Sequence, residues 1–190
     1  MSGARGANHS GVSGLVRRIA ELVAGRGAPP GFGGTLEPEE HVLAVAPVAD
    51  GPLVATSLGL WVPVPSGGGT RRIGWHLISK ATWRDGVLTV IEATERGTAG
   101  DVVLLADLPA LRIAVQRPGK LPQVVHARVT GSIRSRHRHE LPGGGAWFVQ
   151  RKVPGTGVVL QVRADPGADD EAVRTLAGEV SAKLRAARER

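Results

Sequence analysis

The 190-residue chain has no cysteine, no tyrosine and only two phenylalanines. The missing cysteine excludes disulfides, thiolate metal centres and cysteine nucleophiles. Aromatic residues are 3% of the chain, so Val, Leu, Ile and Ala must fill the core, and 42% hydrophobic residues are enough to build one. Long apolar runs are absent as well. No stretch approaches 18 uninterrupted apolar residues, so no membrane span is expected. The one apolar patch near the start, GLVRRIAELVAG (14–25), carries Arg17, Arg18 and Glu21 in its middle, unlike the core of a secretory signal. The expectation is a soluble, cytoplasmic protein.

Catalytic signatures are also missing. GxSxG and HExxH do not occur, and GVSG in the N-terminal segment falls short of a nucleophile elbow. The glycine runs SGGGT (66–70) and PGGGA (142–146) fit neither GxxxxGK[ST] nor GxGxxG, and they read as hairpin loops. The carboxylates are many, but no spacing pairs them for acid–base work. A non-enzyme without a cofactor is expected.

Glycine, proline and positive charge are plentiful. The 27 Gly and 13 Pro fall in many short clusters, the punctuation of short strands rather than of a helical bundle. The net charge is +7, unevenly spread. Residues 101–160 hold nine basic and three acidic side chains, whereas 35–100 are slightly acidic. A basic segment attracts a polyanion or an acidic protein face. Arg outnumbers Lys 20 to 4 and there is a single Asn, as GC-rich coding gives; that bias accounts for arginine richness but not for a net excess.

Three regions follow from the pattern. Residues 1–34 are Gly-rich at both ends and read as a flexible tail, with room for one short amphipathic helix on Leu15, Val16, Ile19, Leu22 and Val23. From there, strands are predicted near 41–48, in GPLVATS, in LWVPV and through RRIGWHLISKATWR (71–84). Asp85-Gly86 is a type I′ hairpin signal, because both central residues need positive φ. A two-residue loop pairs Arg84 with Val87, Trp83 with Leu88, Thr82 with Thr89 and Ala81 with Val90. Opposed residues share a face, so Trp83, Leu88, Ala81 and Val90 are expected to point inward, and the tryptophans read as core. In the same register Glu92 falls opposite Ser79. DVVLLAD and ALRIAVQ add two strands, and LPQVVHARVTGSI (121–133) spaces Leu121, Val125, Val129 and Ile133 as a helix with Pro122 in its first turn. Residues 135–190 read as a β-hairpin unit plus a C-terminal helix, packed on the rest. That helix opens on Asp169, Asp170 and Glu171, with its stripe on Val173, Leu176, Val180 and Leu184.

Seven strands followed by a helix resemble the pleckstrin-homology superfold, a bent antiparallel barrel capped by a helix. Two patterns are similar to bacterial pleckstrin-homology-like domains of high-GC organisms. They are Leu53-Val54-Ala55-Thr56 leading to Gly59-Leu60-Trp61, and Ile78-Ser79-Lys80-Ala81 followed by Gly86-Val87-Leu88-Thr89-Val90. The resemblance covers about 38–134, with the barrel domain at 35–134. It departs where Ser57-Leu58-Gly59 replaces the arginine usual after the Thr-containing turn. The resemblance implies an α+β, β-rich fold with an added hairpin and C-terminal helix, and a non-catalytic binding scaffold.

The candidate contacts are basic. Arg72, His76, Lys80 and Arg84 share one parity of the predicted strand, roughly 13 Å apart, a spacing suited to an extended anionic surface or to a solvated face. RSRHRHE (134–140) puts Arg134, Arg136 and Arg138 on one face, and Arg151 and Lys152 follow on the next strand. His137 and His139 are only two ligands, with His126 or Glu140 to complete a set, so no metal is assigned. The leading partner is a protein segment; anionic lipid and nucleic acid, the latter through 117–152, are the alternatives. With most aromatics read as core, base stacking is scarce, except that Trp147-Phe148 should expose one ring.

Overall fold

The computed structural model describes residues 27–189; the predicted helix at 14–25 and most of the predicted tail lie outside them. Among the described residues, eleven strands and two α-helices run in the order β1 (Val42–Val48), β2 (Gly51–Thr56), β3 (Gly59–Pro63), β4 (Thr70–Gly74), β5 (Ile78–Arg84), β6 (Val87–Ala99), β7 (Val102–Asp107), β8 (Leu111–Ala114), α1 (Leu121–Gly131), β9 (Ile133–Leu141), β10 (Gly144–Val153), β11 (Gly157–Ala164) and α2 (Asp170–Arg188). The fold is α+β and β-rich. A curled antiparallel sheet β1-β2-β3-β4 faces a second sheet in the order β5-β6-β7-β11-β10-β9, with β8 paired to the first half of β6.

The barrel core is aliphatic, as the composition requires. Leu53, Leu60, Ile73, Trp75, Ile78, Leu88 and Val90 meet Leu121, Val125 and Val129 of α1, which closes the barrel on its apolar stripe. Pro122 occupies the first turn, where no intrahelical N–H is lost.

The hairpin at Asp85-Gly86 has the predicted register, Arg84 with Val87 through Ala81 with Val90, and φ of 50° and 75° at its two central residues. One expectation there fails. Trp83 is 37% exposed: it lies beside the turn on the outer strand of the sheet and takes no part in the barrel core. Trp61 and Trp75 are core, as read from the sequence.

The predicted strand 71–84 is broken. A 3-10 turn at Trp75–Leu77 shifts the inward parity from Ile73 and Trp75 to Ile78, and a bulge between Ile78 and Lys80 shifts it back. Glu92 therefore pairs with Ile78 instead of Ser79, and Arg71 grips its carboxylate with two hydrogen bonds of 2.8 and 2.6 Å.

The C-terminal unit continues the barrel sheet. β11 pairs in parallel with β7, Leu160 opposite Val102 and Arg163 opposite Leu105, and β10 and β9 follow by hairpin pairing. A second core forms where α2 lays Val173 and Ala177 on Val102, Leu104, Ala146, Phe148 and Val162. Asp169 caps α2 by accepting from the amides of Glu171 and Ala172, both at 2.9 Å.

The turn between β9 and β10 is laced to the loop before α2: Asp169 N–H donates to the Pro142 carbonyl and Asp165 N–H to that of Gly145. Gly143 has φ 76°, and a Cβ there would collide with the Gly167 carbonyl oxygen. Gly143→Ala is expected to destabilise the protein by about 2–3 kcal/mol in urea unfolding, from backbone strain plus the collision.

Candidate binding face

The basic run on β9 acquires a setting from its partners. Trp147 stands opposite Arg138 on one side and Arg163 on the other; Val149 stands opposite Arg136 and Gln161. Opposed residues share a face, so Arg136, Arg138, Trp147, Val149, Gln161, Arg163 and Leu105 lie on one side of the extended sheet, and Arg134 sits next to them at a bulge where the register slips from Gln150–Ser135 to Arg151–Ile133. The opposite side, with Phe148, Ala146 and Val162, is covered by α2. Of the Trp147-Phe148 pair, Phe148 is buried and Trp147 half-buried.

Arg134 and Arg136 are exposed and have no acidic partner among the described residues. The Arg136 guanidinium sits 5.7 Å from the centre of the Trp147 ring, a cation–π distance. Arg138 pairs with Glu140 and with Asp165 at 2.7 Å; Arg163 stands 3.7 Å from Asp107. The face therefore offers two free guanidinium groups, two engaged ones, and an apolar centre of Trp147, Val149 and Leu105. β9 is also the outer strand of the sheet, nine residues long, with unpaired backbone groups along its free side.

The other candidate stripe does not survive as one surface, because the 3-10 turn and the bulge interrupt it. Arg72 is used internally: it pairs with Glu37 at 2.5 Å and Glu40 at 2.7 Å and lies 5.6 Å from the centre of the Trp61 ring. His76 sits in the 3-10 turn with its Nδ1 buried and unpartnered. Burial pushes its pKa down, with the Arg151 charge acting the same way and Glu95 opposing. Lys80 is exposed, and Arg84 is exposed beside Asp85 in the hairpin.

Arg151 is the largest surprise among the candidates. Alternation places it on the same face as Trp147 and Val149, yet it is only 5% exposed. Its Nη1 donates to Ser132 Oγ at 2.6 Å and the Val129 carbonyl at 3.2 Å, and reaches the Trp75 carbonyl at 3.5 Å; Nη2 donates to the Ile78 carbonyl at 2.9 Å. It thus ties the end of α1 and both ends of the 3-10 turn to β10. Burial, with the Arg163 charge in support, lowers its pKa to about 10, so it remains a cation at neutral pH. Lys152 is exposed and lines, with Arg128, Trp75 and Ser132, a groove of about 610 Å³ whose walls carry no carboxylate.

A residue missed in the sequence is Glu40. It is 2% exposed and accepts from Thr56 Oγ1 at 2.5 Å, Trp61 Nε1 at 2.7 Å and the Glu37 amide at 3.2 Å, besides the Arg72 pair. Only an acidic residue next to a predicted strand start marked it. With its oxygens fully engaged it acts as an anchor, not an acid–base group. Among the described residues no three or more His, Asp and Glu side chains cluster as a metal site, and no helix is long and apolar enough to cross a membrane. No family model, curated protein or solved structure matches the chain.

Proposed function

We propose that the chain is a cytoplasmic, non-catalytic binding module that recognises an acidic protein segment on the open face of β9, β10 and β11. The observation that carries this reading is the pair of exposed guanidinium groups without an acidic partner, Arg134 and Arg136, the second lying against a half-buried Trp147, on a sheet face that no helix among the described residues covers. An extended acidic segment has the chemistry for both features: carboxylates for the arginines, and a backbone able to pair with the free edge of β9. The resemblance of residues 38–134 to pleckstrin-homology-like domains supports a scaffold role by analogy.

A second reading is a nucleic-acid surface. It draws on the half-buried Trp147, although a stacking base would have to displace Arg136 from it. A tagged pull-down from the source cell at moderate salt, with and without nuclease, separates the two. A stoichiometric protein should survive nuclease and be lost with the double charge reversal of Arg134 and Arg136. Partners that vanish with nuclease would sink the first reading in favour of the second.

A further inference from the structure

At the base of the binding face, where the hairpin unit meets the 3-10 turn, lies a cavity of about 20 Å³. Roughly 10–15 Å³ is needed for one water, so the space suits a water or a single halide ion. Its walls include Arg151, Gln161, His76, Arg163, Ser79 and Trp147.

Three of these side chains have unused polar groups. Arg151, 5% exposed, has Nε buried without a partner; Gln161, 4% exposed, makes no side-chain hydrogen bond among the described residues, and its amide is open to the cavity rather than enclosed. His76 Nδ1 is buried and unpartnered. Native interiors rarely leave such groups empty-handed, and buried charges are paired. Arg151 has no ion pair among the described residues. Among the described carboxylates on this side of the sheet, Asp107 is taken by Ser79 at 2.5 Å and Arg163 at 3.7 Å, Asp165 and Glu140 are taken by Arg138, and Glu95 is exposed near His76. The charge that perturbs Arg151 is a second cation, Arg163. A water in the cavity would satisfy hydrogen bonds but leave the guanidinium uncompensated.

We propose that this cavity is a binding site for a small monatomic anion of chloride size, anchored by Arg151 and completed by Gln161. The Arg151 Nε–H and the Gln161 amide N–H₂ donate to the ion, and His76 adds a third donor in the tautomer protonated on Nδ1. The site holds the junction of barrel and hairpin unit together by supplying the negative charge that Arg151 lacks among the described residues. It stands whether or not the outer face binds an acidic segment.

The test uses the full chain. Sodium chloride replaces sodium gluconate stepwise at constant ionic strength, while Tm and the ³⁵Cl NMR linewidth are followed. Tm should rise and saturate, by roughly 3–6 °C at chloride well above its Kd. The excess linewidth should be displaced by bromide and lost in Gln161→Leu, which leaves the Arg151 bonds to carbonyls untouched. If that variant does not fold, saturation and displacement in the wild-type chain decide. A Tm that is flat, or that drifts without saturating, overturns the proposal, as does bromide-displaceable broadening that persists in folded Gln161→Leu.

Discussion

Glu40→Ala should destabilise the protein by about 3–5 kcal/mol in urea unfolding at pH 7, a large share of the stability of a domain this size. The carboxylate is fully enclosed, with 0% side-chain exposure, and four groups converge on it. Thr56 has a fallback, since its hydroxyl also lies 3.0 Å from the Gly59 carbonyl. Trp61 Nε1 has none, and its indole is held edge-on by Phe32 at 5.1 Å, so it cannot turn toward water. Arg72 keeps Glu37 but loses its buried partner. Hydrogen bonds to a charged acceptor are worth about 1.5–3 kcal/mol each, and leaving the donors unpaired adds their desolvation. Glu40→Gln should cost less, since an amide oxygen still serves Trp61 and Thr56 while its N–H₂ opposes Arg72.

The same site gives the protein an acid-sensitive component. Burial alone would raise the Glu40 pKa, but hydrogen bonds from Thr56, Trp61 and the Glu37 amide, with the Arg72 charge, outweigh it and leave the pKa below its usual 4.5. A depressed folded pKa stabilises the folded state at pH above the unfolded value, and the contribution fades as pH falls through the folded value. The stability gap between wild type and Glu40→Gln should therefore be constant near neutrality and shrink below about pH 4.5. A gap unchanged from pH 7 to pH 3 would show that the carboxylate is not the anchor.

How legible all this was depends on the range of the interaction. The Asp85-Gly86 register could be read residue by residue, because a type I′ turn fixes pairing locally. The helix at Leu121–Gly131 followed from its spacing and from Pro122. The break at Trp75–Leu77 could not be read, since alternation through Ile73, Trp75 and Leu77 looks continuous and the turn is held by distant groups: Trp75 Nε1 on the Thr56 carbonyl, and Arg151 on both ends. The parallel pairing of β11 with β7 joins residues nearly sixty apart and leaves no local mark. For the candidate site, the arginine face of β9 was legible from alternation, and Arg136 and Arg138 lie on it, while the bulge at Arg134 was not legible. Arg72 and Arg151 were misassigned as surface groups for one reason: a charged letter carries no sign of whether its partner is water, a carboxylate or a ring of carbonyls. Only the fold brings Glu40 to the first and four oxygen acceptors to the second.

Reversing Arg134 and Arg136 together to Glu should abolish binding of an acidic segment while leaving stability within about 0.5 kcal/mol of wild type. Both side chains are exposed, and neither takes part in an ion pair among the described residues, so the folded chain loses little besides the Arg136–Trp147 contact. The ligand meets four units of charge change on one sheet face. Truncating one partner of a close charge pair costs about 2–5 kcal/mol when the pair is desolvated and less at a rim, and reversal adds repulsion to the loss. A drop of at least 100-fold in affinity for a captured acidic peptide is therefore expected by fluorescence anisotropy at moderate salt. Wild-type affinity itself should fall as salt is raised, and Trp147→Ala should weaken binding with less change in salt dependence, because it removes apolar contact and not charge. Reversal of Lys80 and Arg84 is the control. They are equally exposed but sit on the far edge strand β5, five strands from β9, and they should leave affinity within about twofold. Equal losses from both pairs would mean that the peptide responds to net charge alone, and the face on β9 would have no claim as a site.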